Sequence, residues 1–199
     1  MPKPDSLPLS HLLYLHGFRS SPQSEKSQRM ARWVKEEQPA LHFESPWLPP
    51  SPNEAIAMCE KLVADWPVEQ MAIVGSSLGG FYTTVLAERI GCRAAVLNPA
   101  IDPARDLHEY IGVHTYWHDE SLTLEVKPEF MQDLQGMKPG PLKNPNAYFA
   151  LIAKGDELLD WREMHARYQG AEILLLEGSD HGISDFDHHL PTLTRFLLK

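Results

Sequence analysis

The sequence predicts an α/β fold: an open, mainly parallel sheet of about six strands with helices on both faces and a small cap insertion. Three observations predict it. Short apolar runs, at residues 12–15, 41–44, 72–75, 94–97, 147–153 and 173–176, alternate with helical patterns along the chain. All but the second are apolar at successive positions, as strands buried on both faces are. The stretches between the runs are too long for hairpin turns, so each connection must cross the sheet, with a helix as the usual crossover.

Taken in order, the first run, Leu12-Leu13-Tyr14-Leu15, leads into His16-Gly17-Phe18 and a polar loop through Ser21 and Pro22. Residues 22–38 are charged, with Met30, Trp33 and Val34 as an apolar edge and Pro39 as the stop, which predicts a surface helix with a narrow buried stripe. Leu41-His42-Phe43-Glu44 alternates and marks an edge strand, and Pro46, Pro49, Pro50 and Pro52 hold the following loop extended. Ser51-Pro52-Asn53-Glu54 supplies a capping serine, a proline at the first helical position and a glutamate three residues after the cap. Ile56, Cys59, Leu62, Val63 and Trp66 then follow at helical spacing until Pro67.

The run ending at Gly75 gives way to a helix marked by Leu78, Phe81, Val85, Leu86 and Ile90, with Gly91 as a left-handed terminator. Residues 94–97 form the next strand, and Asn98-Pro99 breaks it. Residues 100–146 show no clean strand and are expected to form the cap. The sheet resumes at 147–153, followed by a helix over 160–168 closed by Gly170, the strand at 173–176 and a last helix over 186–198.

A chain of 199 residues accommodates one domain with a full core, so residues 1–199 are read as a single domain with the cap at 100–146. No apolar run approaches the roughly 18 residues of a membrane span. The amino terminus lacks the apolar core of a secretory signal, which points to a cytoplasmic protein. The net charge of −9, with its basic side chains scattered, argues against a nucleic-acid partner. Cys59 and Cys92 have no metal or redox spacing and read as buried thiols.

Gly75-Ser76-Ser77-Leu78-Gly79 is a G-x-S-x-G set between a buried strand and a helix. In that setting the serine stands on a sharp turn, its hydroxyl projects from the sheet, and small flanking residues let base and substrate approach. Asp156 and His181 lie just past two other strand ends, and all carboxyl ends of a parallel sheet share one edge. Ser77 is therefore the expected nucleophile, His181 the base that takes its proton, and Asp156 the group that orients the imidazole. Asp160 competes with Asp156 for that role but reads better as a helix cap. The backbone N–H groups of Phe18 and Leu78 are the expected oxyanion donors, and His16 and Gly17 in the same wall are candidate substrate contacts. A metal reading built on Asp180, His181, Asp185, Asp187, His188 and His189 fits no known ligand spacing. The chain order Ser…Asp…His is that of neither chymotrypsin nor subtilisin.

These motifs resemble a known group. Leu13-Tyr14-Leu15-His16-Gly17-Phe18, Ile73-Val74-Gly75-Ser76-Ser77-Leu78-Gly79-Gly80, Asn98-Pro99-Ala100, Gly155-Asp156-Glu157 with Leu159-Asp160, and the Asp180-His181 turn are similar to those of the α/β-hydrolase superfamily. More narrowly, the chain resembles the YqiA-type esterases, small cytoplasmic proteins of bacteria. The resemblance implies an α/β-hydrolase fold in a small form without the first two strands. It also implies Ser77, Asp156 and His181 as a triad, and hydrolysis of carboxylic esters or thioesters.

Residues and resemblance together predict a serine hydrolase that forms an acyl-enzyme, uses no cofactor or metal, and takes a small-molecule acyl ester or thioester. Trp117, Leu122, Leu124, Phe130 and Met131 are candidate acyl contacts, or else the cap's own small core. Two alternatives stay open: a non-catalytic binding scaffold on the same fold, and a transferase or lactonase using the same residues.

Overall fold

The computed structural model describes residues 7–199. The amino-terminal segment read as lacking a secretory core lies mostly outside the described residues. Strand β1 (His11–Leu15) leads through α1 (Glu25–Glu37) to β2 (His42–Glu44), and α2 (Pro52–Leu62) leads to β3 (Met71–Ser76). Helix α3 (Leu78–Ile90) joins β3 to β4 (Arg93–Leu97). Then come α4 (Pro103–Asp106), the antiparallel pair β5 (Gly112–Thr115) and β6 (Thr123–Val126), and α5 (Glu129–Met137). β7 (Tyr148–Ala153), α6 (Trp161–Arg167), β8 (Glu172–Leu176) and α7 (Phe186–Leu197) complete the chain.

The main sheet has six strands in the order β2-β1-β3-β4-β7-β8, every neighbouring pair parallel. Its two faces are both covered, which explains the continuous apolar runs. Leu13, Leu15, Ile73, Val96, Ala150 and Ile152 point to one side and pack with α2, α3, α5 and α6 through Ile56, Val85, Leu86, Leu134 and Met164. Leu12, Tyr14, Val74, Leu97, Phe149 and Leu151 point to the other and pack on α1 and α7 through Met30, Trp33, Leu193 and Phe196. β2 carries alternating side chains and sits at the edge, as its pattern requires.

Local signals act where the sequence places them. Ser51 Oγ accepts the Glu54 N–H at the start of α2, and Gly91 ends α3 at φ 87°. Asp160 accepts the Arg162 N–H as the cap of α6. Cys59 and Cys92 are free and buried, and burial pushes both thiols up to about 12.

Three expectations need correction. α1 starts at Glu25, because residues 22–24 form a turn in which the Ser24 N–H bonds to Ser21 O. α2 stops at Leu62, since the last turn before Pro67 is closed by the Trp66 N–H to Val63 O bond and is not continued α-helix. The segment 100–146 is not strandless: it holds the β5–β6 hairpin, whose two short strands pair Gly112 with Val126 and Thr115 with Thr123. Four-residue strands, one of them starting on a glycine, leave too little period-2 signal to read from sequence.

Candidate active site

Strand adjacency assembles the site. β1 pairs with β3 in register Leu15↔Gly75, so the His16-Gly17-Phe18 turn and the Ser77 turn emerge side by side. The chain leaves these two strands toward opposite edges of the sheet, which opens a crevice at their carboxyl ends. β7 and β8 end together at Ala153↔Leu176 and deliver Asp156 and His181 to the same edge.

Ser77 has φ 55° and ψ −122°, a conformation costly for any residue with a side chain. Its surroundings hold it there. The Ser77 N–H donates to Leu97 O at 3.0 Å, and its carbonyl accepts from Gly80, Phe81 and Ala100. The tight crossing explains the flanking glycines: a Cβ on Gly75 would lie 2.2 Å from Gly79 O, and one on Gly79 would lie 2.1 Å from Leu15 O.

From that turn a hydrogen-bonded line runs through three side chains. His181 Nε2 is 3.0 Å from Ser77 Oγ, and His181 Nδ1 is 2.8 Å from Asp156 Oδ2. The Asp156 side chain has no exposed surface. Its other oxygen accepts the N–H groups of Leu158 and Leu159 at 2.9 and 2.8 Å, so both oxygens are satisfied. The acid turn and the histidine turn touch so closely that a Cβ on Gly155 would sit 2.1 Å from Ser179 O.

Asn98, read from sequence as a strand break and as part of the motif Asn98-Pro99-Ala100, proves to be part of the frame. It is fully buried at φ 41°. Its Nδ2 donates to Asp180 O at 2.9 Å and His181 O at 3.2 Å, while Oδ1 accepts the Ala153 N–H at 2.8 Å. One amide thus ties the end of β4 to the histidine loop and to the end of β7. A polar residue between a buried strand and Pro99 is the physical signal of this role in the sequence. The His181 N–H is also held, by Glu157 Oε2 at 2.9 Å, and the Lys26 ammonium donates to Gly182 O.

The expected oxyanion donors flank the serine. Leu78 opens α3 immediately after it, and Gly17 lies against it: a Cβ there would be 3.2 Å from Ser77 Cβ. Among the described residues, neither the Phe18 nor the Leu78 backbone N–H donates to a protein acceptor.

Both ring nitrogens of His16 have partners within the protein. Its Nδ1 bonds to Gly17 O at 3.0 Å and its Nε2 accepts the Leu48 N–H at 3.1 Å, which fixes a neutral ring as a strap between two loops. Burial, opposed by the Gly17 carbonyl and reinforced by His118, lowers its pKa to about 4. Because an unfolded chain takes up this proton near pH 6.5 and the folded one near 4, the unfolded state binds the extra proton in between. Stability from this group is therefore full above pH 6.5 and falls toward pH 4, by up to about 1.4 kcal/mol per pH unit. The urea midpoint is expected to drop between pH 7 and pH 5, and His16→Asn to flatten part of that drop, the lowered pKa of His11 supplying another part. An equal slope in the variant would refute this account.

Two cavities meet at the Gly17–Phe18 turn. One of about 320 Å³ is lined by Ser77, His181, Phe18, Trp117, Tyr110 and Leu158. The other, about 40 Å³, is lined by Leu78, Leu124, Phe130, Met131, Leu48 and Tyr116. Trp117, 69% exposed, is thus at the serine, whereas Leu124, Phe130 and Met131 line the neighbouring space. Leu124 and Phe130 also form a small core with Tyr116 and Val126. Leu122 lines neither cavity and is 41% exposed, because it sits in the β5–β6 connection.

The three carboxylates and two of the three histidines of the metal reading are engaged elsewhere. Asp185 binds Ser179 Oγ and His189, and Asp180 accepts the Ser184 N–H. Among the described residues no group of three or more His, Cys, Asp or Glu side chains is disposed to hold a metal ion. Nor is any helix among them long and apolar enough to cross a membrane.

A model of the uncharacterised protein family UPF0227 matches residues 11–198. Among solved structures, the chain is similar to alpha/beta hydrolase domain-containing protein 10 from mouse, with a TM-score of 0.69 at 17% identity over 93% of this chain and 87% of that one. It is also similar to the esterase domain of a Rhodothermus marinus protein, with a TM-score of 0.67 at 15% identity over 96% and 88% of the two chains. An esterase from Pyrococcus furiosus matches with a TM-score of 0.59 at 16% identity over 97% and 83%. At these identities the likeness establishes the α/β-hydrolase fold.

Proposed function

The chain belongs to the UPF0227 family, and we propose that it is a serine hydrolase that cleaves carboxylic esters or acyl thioesters through an acyl-enzyme intermediate. The observation that carries this reading is the continuous line from Ser77 Oγ through His181 to Asp156, at 3.0 and 2.8 Å, opening on a cavity of about 320 Å³.

In this reading His181 Nε2 accepts the hydroxyl proton as Ser77 Oγ attacks the acyl carbon. Asp156 keeps the other ring proton on Nδ1 and stabilises the imidazolium that forms. The tetrahedral oxyanion is held by the Phe18 and Leu78 N–H groups, which cost no reorganisation because the turn and the helix start already fix them. His181 then gives its proton to the departing alcohol or thiol, and the same steps with water as nucleophile release the acid. Residues 100–146 act as a cap within a single domain, bringing Tyr110 and Trp117 to the serine cavity. The chemistry draws on these side chains and on the two N–H groups alone.

A fluorophosphonate probe tests the reading directly. Covalent labelling is expected at Ser77, located by peptide mapping, and hydrolysis of nitrophenyl esters is expected to parallel it. Absence of label on the wild type, or equal labelling of Ser77→Ala, would overturn the proposal.

A further inference from the structure

The turn that presents the Phe18 N–H is bound chiefly to the β5–β6 hairpin. Its own closing bond, from the Ser20 N–H to Gly17 O, is long at 3.3 Å. The residue after Phe18 does more. Arg19 stands at φ 57°, a left-handed conformation for a residue with a long side chain. Its carbonyl accepts the Trp117 N–H at 2.9 Å. Its Nε donates to Thr115 O at 2.7 Å, and Nη2 donates to Thr115 Oγ1 at 3.2 Å. The guanidinium carbon lies over the Trp117 ring, 3.9 Å from its centre. The Phe18 ring meets Tyr110 and His114 edge-on at 5.5 and 6.0 Å. Main chain, guanidinium and neighbouring ring all grip the same segment of chain.

We propose that Arg19 is a positioning residue: by clasping Thr115 and Trp117 it fixes the Phe18 N–H against the oxyanion, so that the hairpin and the oxyanion site move as one unit. This rests on the serine-hydrolase reading. A planar fork that bonds and stacks at once suits arginine and not lysine, whose ammonium is a point charge on a flexible stem. A displaced hairpin would pull the Arg19 carbonyl and, through the backbone of Phe18, the Gly17–Phe18 peptide that carries the donor N–H, away from the serine. Charge builds on the acyl oxygen only in the transition state, so the loss falls on kcat and spares KM.

The test compares an oxoester with the thionoester of the same acyl and leaving groups. Sulfur carries its developing charge diffusely and accepts hydrogen bonds poorly, so a misplaced donor slows the oxoester more. Because losing one oxyanion donor outright costs about 10²–10³ in kcat, Arg19→Met, which misplaces it, is expected to lower oxoester kcat by about 10-fold or more. KM should stay within about twofold and the thionoester rate should fall much less. Affinity for a trifluoromethyl ketone should fall in step with the oxoester rate. Arg19→Lys should recover only part of the loss, and Thr115→Val, which removes one contact, should show a smaller loss in the same direction. Thr115→Val also carries the test if circular dichroism shows Arg19→Met misfolded. Equal losses for both esters, or a rise in KM alone, would overturn the proposal while Ser77 labelling stands. Failure of the wild type to label at all would take both readings with it.

Discussion

His181→Ala is expected to lower kcat for a nitrophenyl ester by about 10⁶-fold, the scale seen when the base of such a relay is removed alone. Labelling of Ser77 by a fluorophosphonate should vanish with it. The hydroxyl is a weak nucleophile without a base, and among the described residues no imidazole other than that of His181 lines the serine cavity. His189 sits on α7 with its Nε2 on Asp185 at 2.9 Å, and His16 has both nitrogens committed to loops. The fold should survive, because the loop keeps its backbone bonds to Asn98 and Glu157 when the ring is gone. Asp156 loses the partner of one oxygen and keeps two N–H donors on the other, which predicts a stability loss of about 1–3 kcal/mol. Activity above about 1% of wild type, in a variant shown to be folded, would place the base elsewhere.

What could be read from the sequence follows from how local each cause is. The central strands were legible because burial on both faces removes the need for any polar residue over four or more positions. Ser51, Gly91 and Asp160 were legible as caps and stops because each acts on backbone within a few residues of itself. Ser77 was legible because the close crossing of Gly75, Gly79 and Leu15 allows so few residue types. Convergence was the harder part. Asn98 acts on residues 55 to 83 positions away, and its signal in sequence is one asparagine before a proline. Arg19 reaches Thr115 across 96 positions in the same way. The β5–β6 hairpin escaped notice since its strands are short and bury alternate residues only in β6. His16 was placed correctly at the strand tip, but only the Leu48 N–H, 32 residues on, shows that its ring is a strap.

Asp156→Asn should lower kcat by about 10⁴-fold with the fold intact, and the direction of the effect is dictated by the surrounding hydrogen bonds. The Leu158 and Leu159 N–H groups demand an acceptor at one branch of the side chain, at 2.9 and 2.8 Å. In the variant the amide oxygen must occupy that branch, so the NH₂ falls where Oδ2 now faces His181 Nδ1. An NH₂ there can only donate, which forces Nδ1 to accept and moves the ring proton to Nε2. That proton then points at Ser77 Oγ, and the nitrogen that should receive the hydroxyl proton has no lone pair to offer. Asp160→Asn is the control. Its carboxylate caps α6 through the Arg162 N–H, and asparagine caps almost as well, so turnover should stay near wild type and stability should change by well under about 1 kcal/mol. Near-normal turnover in Asp156→Asn together with a collapse in Asp160→Asn would move the orienting role to Asp160. Intact rates in both would leave His181 without an acid partner, and the tautomer argument with it.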